Sequence, residues 1–368
     1  MNEQLLGFGF MRLPALPDGN VDLKQTCAMA DRFLENGFRW FDTARPYHNG
    51  NSERLLHDAV IARYKREDLL IADKMTLWLF KEGQTPEEYV QEQLAVTGAE
   101  YFDRYLLHAM DQKKVEDADR RGVWDHLCRI KEQGIARKIG LSFHDNAETL
   151  DRILTAHPEM DFVQLQINYI DWFSSSVQAE QCCKIAQKHK KPVIVMEPVK
   201  GGMLASLPPE AMEILGTPDR SAASWAIRYA ASQPGVVTVL SGMSNMEQLE
   251  DNIRTLKDFT PLSAEETARL DQVRDWLNAI PVVQCTRCGY CANVCPQELP
   301  ISNLIAVLNS YRQFGVSDGV KGSYRWYARN HTPAECLHCG LCSKECPQHI
   351  AIPDCMTELA EAAEKFNL

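Results

Sequence analysis

The chain has 368 residues, 45% of them hydrophobic and 24% charged, with a formal net charge of −11. The length exceeds what one ordinary domain uses, and the balance is that of a folded protein, which excludes the disordered and fibrous classes. The acidic excess excludes a nucleic-acid partner, because phosphate binding draws on surplus Lys and Arg. The opening MNEQLLGFGFMRLPALPDG lacks the basic start, apolar core and cleavage site of a secretory signal. No window approaches the roughly 20 apolar residues of a membrane span, so a cytoplasmic protein with no membrane partner is expected.

In chain order, residues up to about 258 alternate short apolar runs with longer amphipathic stretches, the pattern of repeated β–α units and a parallel sheet. The expected strands are LLGFGFM, FRWFDTA, LLIADK, RYLLHA, ARKIGLS, DFVQLQIN, PVIVMEP and VVTVLSG. Between them lie helical stretches such as VDLKQTCAMADRFLENG, stopped by Gly37, and SERLLHDAVIARY, with Ser52 as its expected cap. Eight such units in about 250 residues fit an α/β fold of the (β/α)8 TIM-barrel type. A doubly wound open sheet is the alternative, but no GxGxxG follows any of the strands.

After the eighth unit, LSAEETARLDQVRDWLNAIP places Ser263 and Glu266 in capping-box spacing and Leu270, Val273 and Leu277 on one face. A terminal helix ending before Pro281 is expected, so the barrel domain would occupy residues 1–280. Residues 281–368 would then form a small, mostly helical ferredoxin-like domain, with helical periodicity in ISNLIAVLNSYRQFG and IPDCMTELAEAAEKF.

Nine of the thirteen cysteines fall in this last segment, eight of them in two CxxCxxCxxxCP motifs: Cys285, Cys288, Cys291, Cys295 with Pro296, and Cys336, Cys339, Cys342, Cys346 with Pro347. In a reducing compartment such grouping points to cluster ligation rather than disulfides. The short spacings let three thiolates wrap one face of a cubane, while the fourth, on a helix beginning at the CP step, points to the other cluster. Two 4Fe–4S clusters with crossed ligands follow: Cys285, Cys288 and Cys291 with Cys346, and Cys336, Cys339 and Cys342 with Cys295. A pair of zinc sites is the alternative, but tetrahedral zinc does not require this pattern twice with its CP. Cysteines 27, 128, 182, 183 and 355 show no ligand spacing and are expected to pack as small apolar side chains. The segment resembles bacterial two-cluster ferredoxins, with a longer linker between motifs that favours the helical ferredoxin domains fused to oxidoreductases.

A barrel of this type gathers strand-end side chains at one mouth, and polar residues stand at those ends: Asp42, Lys74, His108, Ser142, Gln164, Asn168 and Glu197.

The segments FDTARPYHNGNSE, IADK and YLLHAMD resemble the signature segments of the aldo/keto reductase family over the first 258 residues or so. The resemblance implies a catalytic tetrad of Asp42, Tyr47, Lys74 and His108, a small-molecule carbonyl substrate and a nicotinamide cofactor. In that tetrad the nicotinamide would supply the hydride and Tyr47 the proton, once its pKa, about 10 in water, falls toward neutrality beside a Lys74 ammonium. Asp42 would hold Lys74 charged and aimed, and His108 would orient the carbonyl oxygen or share the proton. Ser142, Gln164 and SGMSNMEQLEDN are similar to the family's cofactor-binding segments, which puts Gly242, Ser244, Gln248 and Asn252 near the adenosine phosphates. Gly242 and Gln248 stand where well-known members carry a Lys and an Arg for the 2′-phosphate, yet branches with a GMS-type loop accept NADPH, so NADP(H) is expected over NAD.

The leading expectation is an NADP-dependent oxidoreductase of aldo/keto reductase type whose clusters exchange single electrons with an external ferredoxin or flavodoxin. One alternative is a ferredoxin-like electron carrier whose barrel is a non-catalytic docking platform. Another is a barrel that binds a flavin, which would convert hydride pairs into single electrons. The loops TLWLFKEGQ and DWFSSS are aromatic enough to accept an apolar or ring-bearing carbonyl compound.

Overall fold

A computed structural model describes residues 5–217 and 219–368. Eight parallel strands follow one another around a closed barrel: β1 (Leu6–Gly9), β2 (Trp40–Asp42), β3 (Leu70–Met75), β4 (Phe102–Met110), β5 (Ala136–Phe143), β6 (Phe162–Gln166), β7 (Val193–Met196) and β8 (Val236–Gly242). Each lies on one of the apolar runs read as a strand, and β8 pairs back onto β1, which rules out the open sheet.

The interior is built in layers with the period of two that a strand imposes. Trp40, Ala72, Leu106, Phe162, Ile194 and Leu240 form one buried layer across the barrel. Burying each large side chain there contributes roughly 1.5–3 kcal/mol. On β5 the matching position is Gly140, where an added Cβ would lie 2.6 Å from the Phe162 carbonyl oxygen and 2.8 Å from its ring, so only glycine leaves room. Two residues further along the strands come Asp42, Lys74, His108, Ser142, Gln164 and Gly242. The candidate site is therefore the next inward layer, at the carboxyl ends.

The helix Leu23–Glu35 is capped by the Asp22 side chain, which accepts from the Gln25 N–H at 2.9 Å, and the chain turns at Gly37 with φ of 87°. Ser52 is not a cap. It is the first residue of a short helix, Ser52–Leu56, which Asn51 precedes without a side-chain capping bond and which continues as a π-helical turn over His57–Ile61. The Ser52 hydroxyl is instead engaged inside the protein, 2.8 Å from Thr43 Oγ1 and donating to the Phe10 carbonyl at 3.3 Å.

The chain divides into two compact units. One runs to Pro198 and takes in Ser224–Leu262, and holds the whole barrel; the other comprises Val199–Ala223 and Ser263–Leu368. Helix Ala264–Ala279 has the expected capping box of Ser263 and Glu266 and buries Leu270, Val273 and Leu277. It packs within the second unit, where the Arg269 guanidinium donates to the Leu215 carbonyl at 2.8 Å. The second unit is helical, and Ile301–Phe314, Asp318–Tyr327 and Ile352–Phe366 are its other long helices. No helix among the described residues is long and apolar enough to cross a membrane.

The two cysteine loops repeat one backbone course. Left-handed φ values recur at Arg287 and His338, at Gly289 and Gly340, and at Glu298 and His349. The expected helix at the CP step is not there. Cys295 is extended after a 3-10 turn over Ala292–Val294, and the next helix starts only at Ile301; the second loop likewise delays its helix to Ile352. The proline, lacking an N–H, is followed by a turn instead.

Candidate active site and cysteine cavities

Lys74 is fully buried, and its ammonium donates to Asp42 Oδ1 and to the Thr43 carbonyl at 2.7 Å. Burial works against its charge, but the Asp42 carboxylate and the Tyr47 phenol beside it lift the lysine above its ordinary value, so it stays an ammonium. Its Nζ lies 5.1 Å from the centre of the Tyr47 ring. Tyr47 sits in a tight turn after Pro46, in which His48 and Asn49 take left-handed φ values of 49° and 55°. That strained turn is pinned by the His48 Nε2 contact to the Phe10 carbonyl at 2.9 Å.

His108 meets Tyr47 edge to face, with ring centres 5.8 Å apart, and its Nδ1 lies 3.0 Å from Thr76 Oγ1. Burial, then the Lys74 charge, hold His108 well below the usual histidine range, so the ring is neutral. Tyr47 departs from expectation. Burial pushes its phenol up, and the pull of Lys74 in the other direction does not outweigh that. Trp78, about half exposed, lies 5.1 Å from the His108 ring, whereas Phe80 of the same loop stacks on Tyr89 at 4.6 Å and is simply packed.

Behind Lys74 is a second buried polar group. Glu53 accepts from Gln93 Nε2 at 2.7 Å and pairs with Arg45 at 3.3 Å, and Gln93 also donates to the Lys74 carbonyl at 3.1 Å. Asp73, also fully buried, accepts from the Lys74 N–H at 2.8 Å through one oxygen, while the other has no partner. Burial and the nearby Glu53 charge hold its carboxyl well above the ordinary range.

The residues assigned to the nucleotide are placed unequally. Ser142 Oγ accepts from the Ala109 N–H at 3.0 Å, and Gln164 presents a buried Oε1 without a partner. That orphaned acceptor, in the layer of Lys74 and His108, fits a ligand amide. At the end of β8, Ser244 donates its N–H to Gln248 Oε1 at 2.7 Å and its hydroxyl to the Arg12 carbonyl at 2.9 Å. Asn252 is buried and donates to Ser241 at 2.7 Å, which makes it a buttress of the loop. Sequence reading missed Thr76 and Arg12. Thr76 lay within reach, two residues beyond Lys74 on the same strand face; Arg12 gave no local signal, because only barrel closure brings its side-chain stem within 3.5 Å of a Cβ built on Gly242.

In the second unit, one cavity is lined by Cys285, Cys288, Cys291 and Cys346, and another by Cys295, Cys336, Cys339 and Cys342. Each motif thus sends its first three thiols to one cavity and its fourth to the other. Four thiols facing one space form a donor set that suits a 4Fe–4S cluster. Of the remaining cysteines, Cys182, Cys183 and Cys355 are buried, and burial pushes the first two thiols up to about 12.

Residues 5–275 match the model of the aldo/keto reductase family. The chain belongs to that family. Residues 284–351 match a 4Fe–4S dicluster domain, so this oxidoreductase joins a reductase barrel to an iron–sulfur module. An uncharacterized oxidoreductase of Bacillus subtilis, YqkF, is 22% identical over 68% of this chain and 86% of its own. An aldo-keto reductase of Mycolicibacterium vanbaalenii is 30% identical over 65% of this chain and 79% of its own. Among solved structures, the holo form of an aldo-keto reductase from Bacillus halodurans superposes with a TM-score of 0.60, at 24% identity, over 73% of this chain and 91% of the other. One from Klebsiella pneumoniae in complex with NADPH gives 0.58 at 19% identity, over 73% and 90%.

Proposed function

We propose that the barrel reduces a carbonyl compound with NADPH, Tyr47 giving the proton, and that the eight motif cysteines hold two clusters that exchange single electrons with an external ferredoxin or flavodoxin. The observation carrying the reading is Lys74: a fully buried ammonium, ion-paired to Asp42 and lying under the Tyr47 ring. Removing a charge from water costs several kcal/mol, so a barrel used only for docking has no reason to build this pair.

NADPH, when bound, supplies the hydride, and the clusters, when bound, supply one-electron storage. The chain does the rest. Tyr47, held protonated by burial, donates its phenolic proton to the carbonyl oxygen, and Lys74 stabilises the phenolate left behind. Neutral His108, its Nδ1 fixed by Thr76, orients the carbonyl oxygen through its other nitrogen. Gln164 holds the nicotinamide amide through its free Oε1, with Ser142 beside it. Gly242, Ser244 and Gln248 line the phosphate end, and Arg12 is the cation that favours NADP over NAD. Trp78 provides an apolar wall for the substrate. Eight cysteines kept free of disulfides suit a reducing cytoplasm.

The test is Tyr47→Phe. Carbonyl reduction should fall by roughly 10²–10⁴-fold while NADPH binding stays near wild type, since only the proton donor is lost. Arg12→Ala, in the same assays, should weaken NADPH more than NADH. Full turnover by Tyr47→Phe on an active substrate would leave the barrel as a docking platform.

A further inference from the structure

The cysteine repeat contains its own control, because the second loop is the first displaced by 51 residues. The two cavities are lined by matching positions: the thiols correspond, Gln348 of one matches Gln297 of the other, Ile350 matches Leu299, and Ile305 matches Met356. Cys288 and Cys339 are both exposed, and Cys291 and Cys342 both buried. Formal charge within the loops cancels in each, Arg287 against Glu298 in the first and Lys344 against Glu345 in the second. Among the positions that line both cavities, two break the equivalence, while Val294 and Pro296, matched in the other loop by Glu345 and Pro347, line the Cys336 cavity alone. Thr286 and Ser302 line the Cys285 cavity, where Leu337 and Pro353 line the Cys336 cavity.

Those two replacements act in one direction. A cluster gains negative charge when reduced, and donors directed at its sulfurs stabilise that charge and raise its potential. Thr286 brings a hydroxyl; Ser302 brings a hydroxyl and also an N–H in the first turn of the helix Ile301–Phe314, where no intrahelical acceptor exists. Neither hydroxyl is spent on another protein group among the described residues. Leu337 and Pro353 bring no side-chain donor, and proline has no N–H either.

We propose that the two clusters are not isopotential, and that Thr286 and Ser302 make the cluster of Cys285, Cys288, Cys291 and Cys346 the one reduced first. This rests on the crossed ligand sets proposed above. An electron delivered to the pair then settles on the Cys285 side: the Cys336 side gives up one electron and the Cys285 side gains it. The apolar Cys336 site is the lower-potential passage and the Cys285 site the store.

The test is an anaerobic potentiometric titration of the full chain, followed by electron paramagnetic resonance, on protein with iron and sulfide measured beforehand. Wild type should be reduced in two separate one-electron steps. The double variant Thr286→Val with Ser302→Ala should lower the first step toward the second and leave the second in place. The reciprocal pair, Leu337→Thr with Pro353→Ser, should raise the second step toward the first, and it keeps the proposal testable if the first variant loads poorly. Two clusters reduced together at one potential, or a Thr286/Ser302 variant that moves only the second step, would overturn the ordering while leaving the clusters intact. Protein reconstituted without eight irons per chain would overturn the cluster reading itself, and the ordering with it.

Discussion

The four groups at the barrel mouth arrive from separate parts of the chain: Asp42 from β2, Tyr47 from the turn beyond it, Lys74 from β3 and His108 from β4. The cysteine cavities are made from one short loop used twice. The two regions also differ in what holds them before a ligand arrives. Beneath the mouth lies a complete apolar layer from Trp40 to Leu240, so the site rides on a core that needs no cofactor. The cysteine loops instead surround space with thiols, and a unit of that kind draws folding free energy from the metal it binds. A shared convergence of side chains therefore hides two different dependences, one on packing and one on iron.

The largest effect expected from this difference is the response to losing iron. Chelation with oxidation of the full chain should strip hydrogen-exchange protection from residues 263–368, and from 199–223 with them, since both stretches form one compact unit. Strands β1 to β8 should keep theirs. Barrel strands that lost protection in step with the cysteine loops would make the packing core dependent on the clusters and erase the contrast.

A smaller effect, on rate rather than fold, is the pH dependence of carbonyl reduction. Tyr47 must be protonated to donate, and burial holds its phenol above the ordinary value of 10.0. His108 is held well below 6.5, so it stays neutral as the pH falls past the point where a free histidine would charge. Reductive kcat/KM should then be flat from about pH 6.5 to about 10, the range bounded by the unperturbed values. A fall between pH 7 and 9 would show Lys74 outweighing burial at Tyr47 once the nucleotide is bound.

Legibility in the sequence followed the same divide. Every strand could be found because a buried parallel strand is a short apolar run, and Asp42, Lys74 and His108 stood out as polar residues ending such runs, whereas Tyr47, in the turn beyond β2, came only with the family resemblance. The direction of the Tyr47 shift could not, because it depends on how much desolvation the finished mouth imposes against one nearby charge. Ser52 looked like a cap because a serine preceded a helical pattern; its hydroxyl was instead needed to tie Thr43 to the Phe10 carbonyl across the barrel end. In the cysteine unit the spacing alone named all eight thiols and their crossing. It misplaced the helix at the CP step, since a proline there is followed by a left-handed residue, Glu298 or His349, that a helix does not admit.

The smallest expected effect lies behind the mouth, at Asp73, and it asks whether packing in the barrel tolerates a polar group that no ligand will satisfy. Its carboxyl is fully buried, with one oxygen bonded to the Lys74 N–H and the other unpartnered. Because the folded state holds its proton well above the ordinary value of 3.8, the folded chain binds more protons than the unfolded one as pH rises through and beyond that value. Stability contributed at low pH is therefore lost on going up in pH, the reverse of a salt-bridged carboxylate. Asp73→Asn keeps the oxygen that accepts from Lys74 and removes the ionisable group, so the loss should vanish. At pH 8 the variant should be more stable than wild type by about 1 kcal/mol in urea unfolding, and the two should converge near pH 4. A variant less stable than wild type at pH 8 would mean that Asp73 is ionised in the fold, held by the Lys74 and Arg45 charges that act on it, and that the charged network of the mouth extends one residue deeper than Lys74.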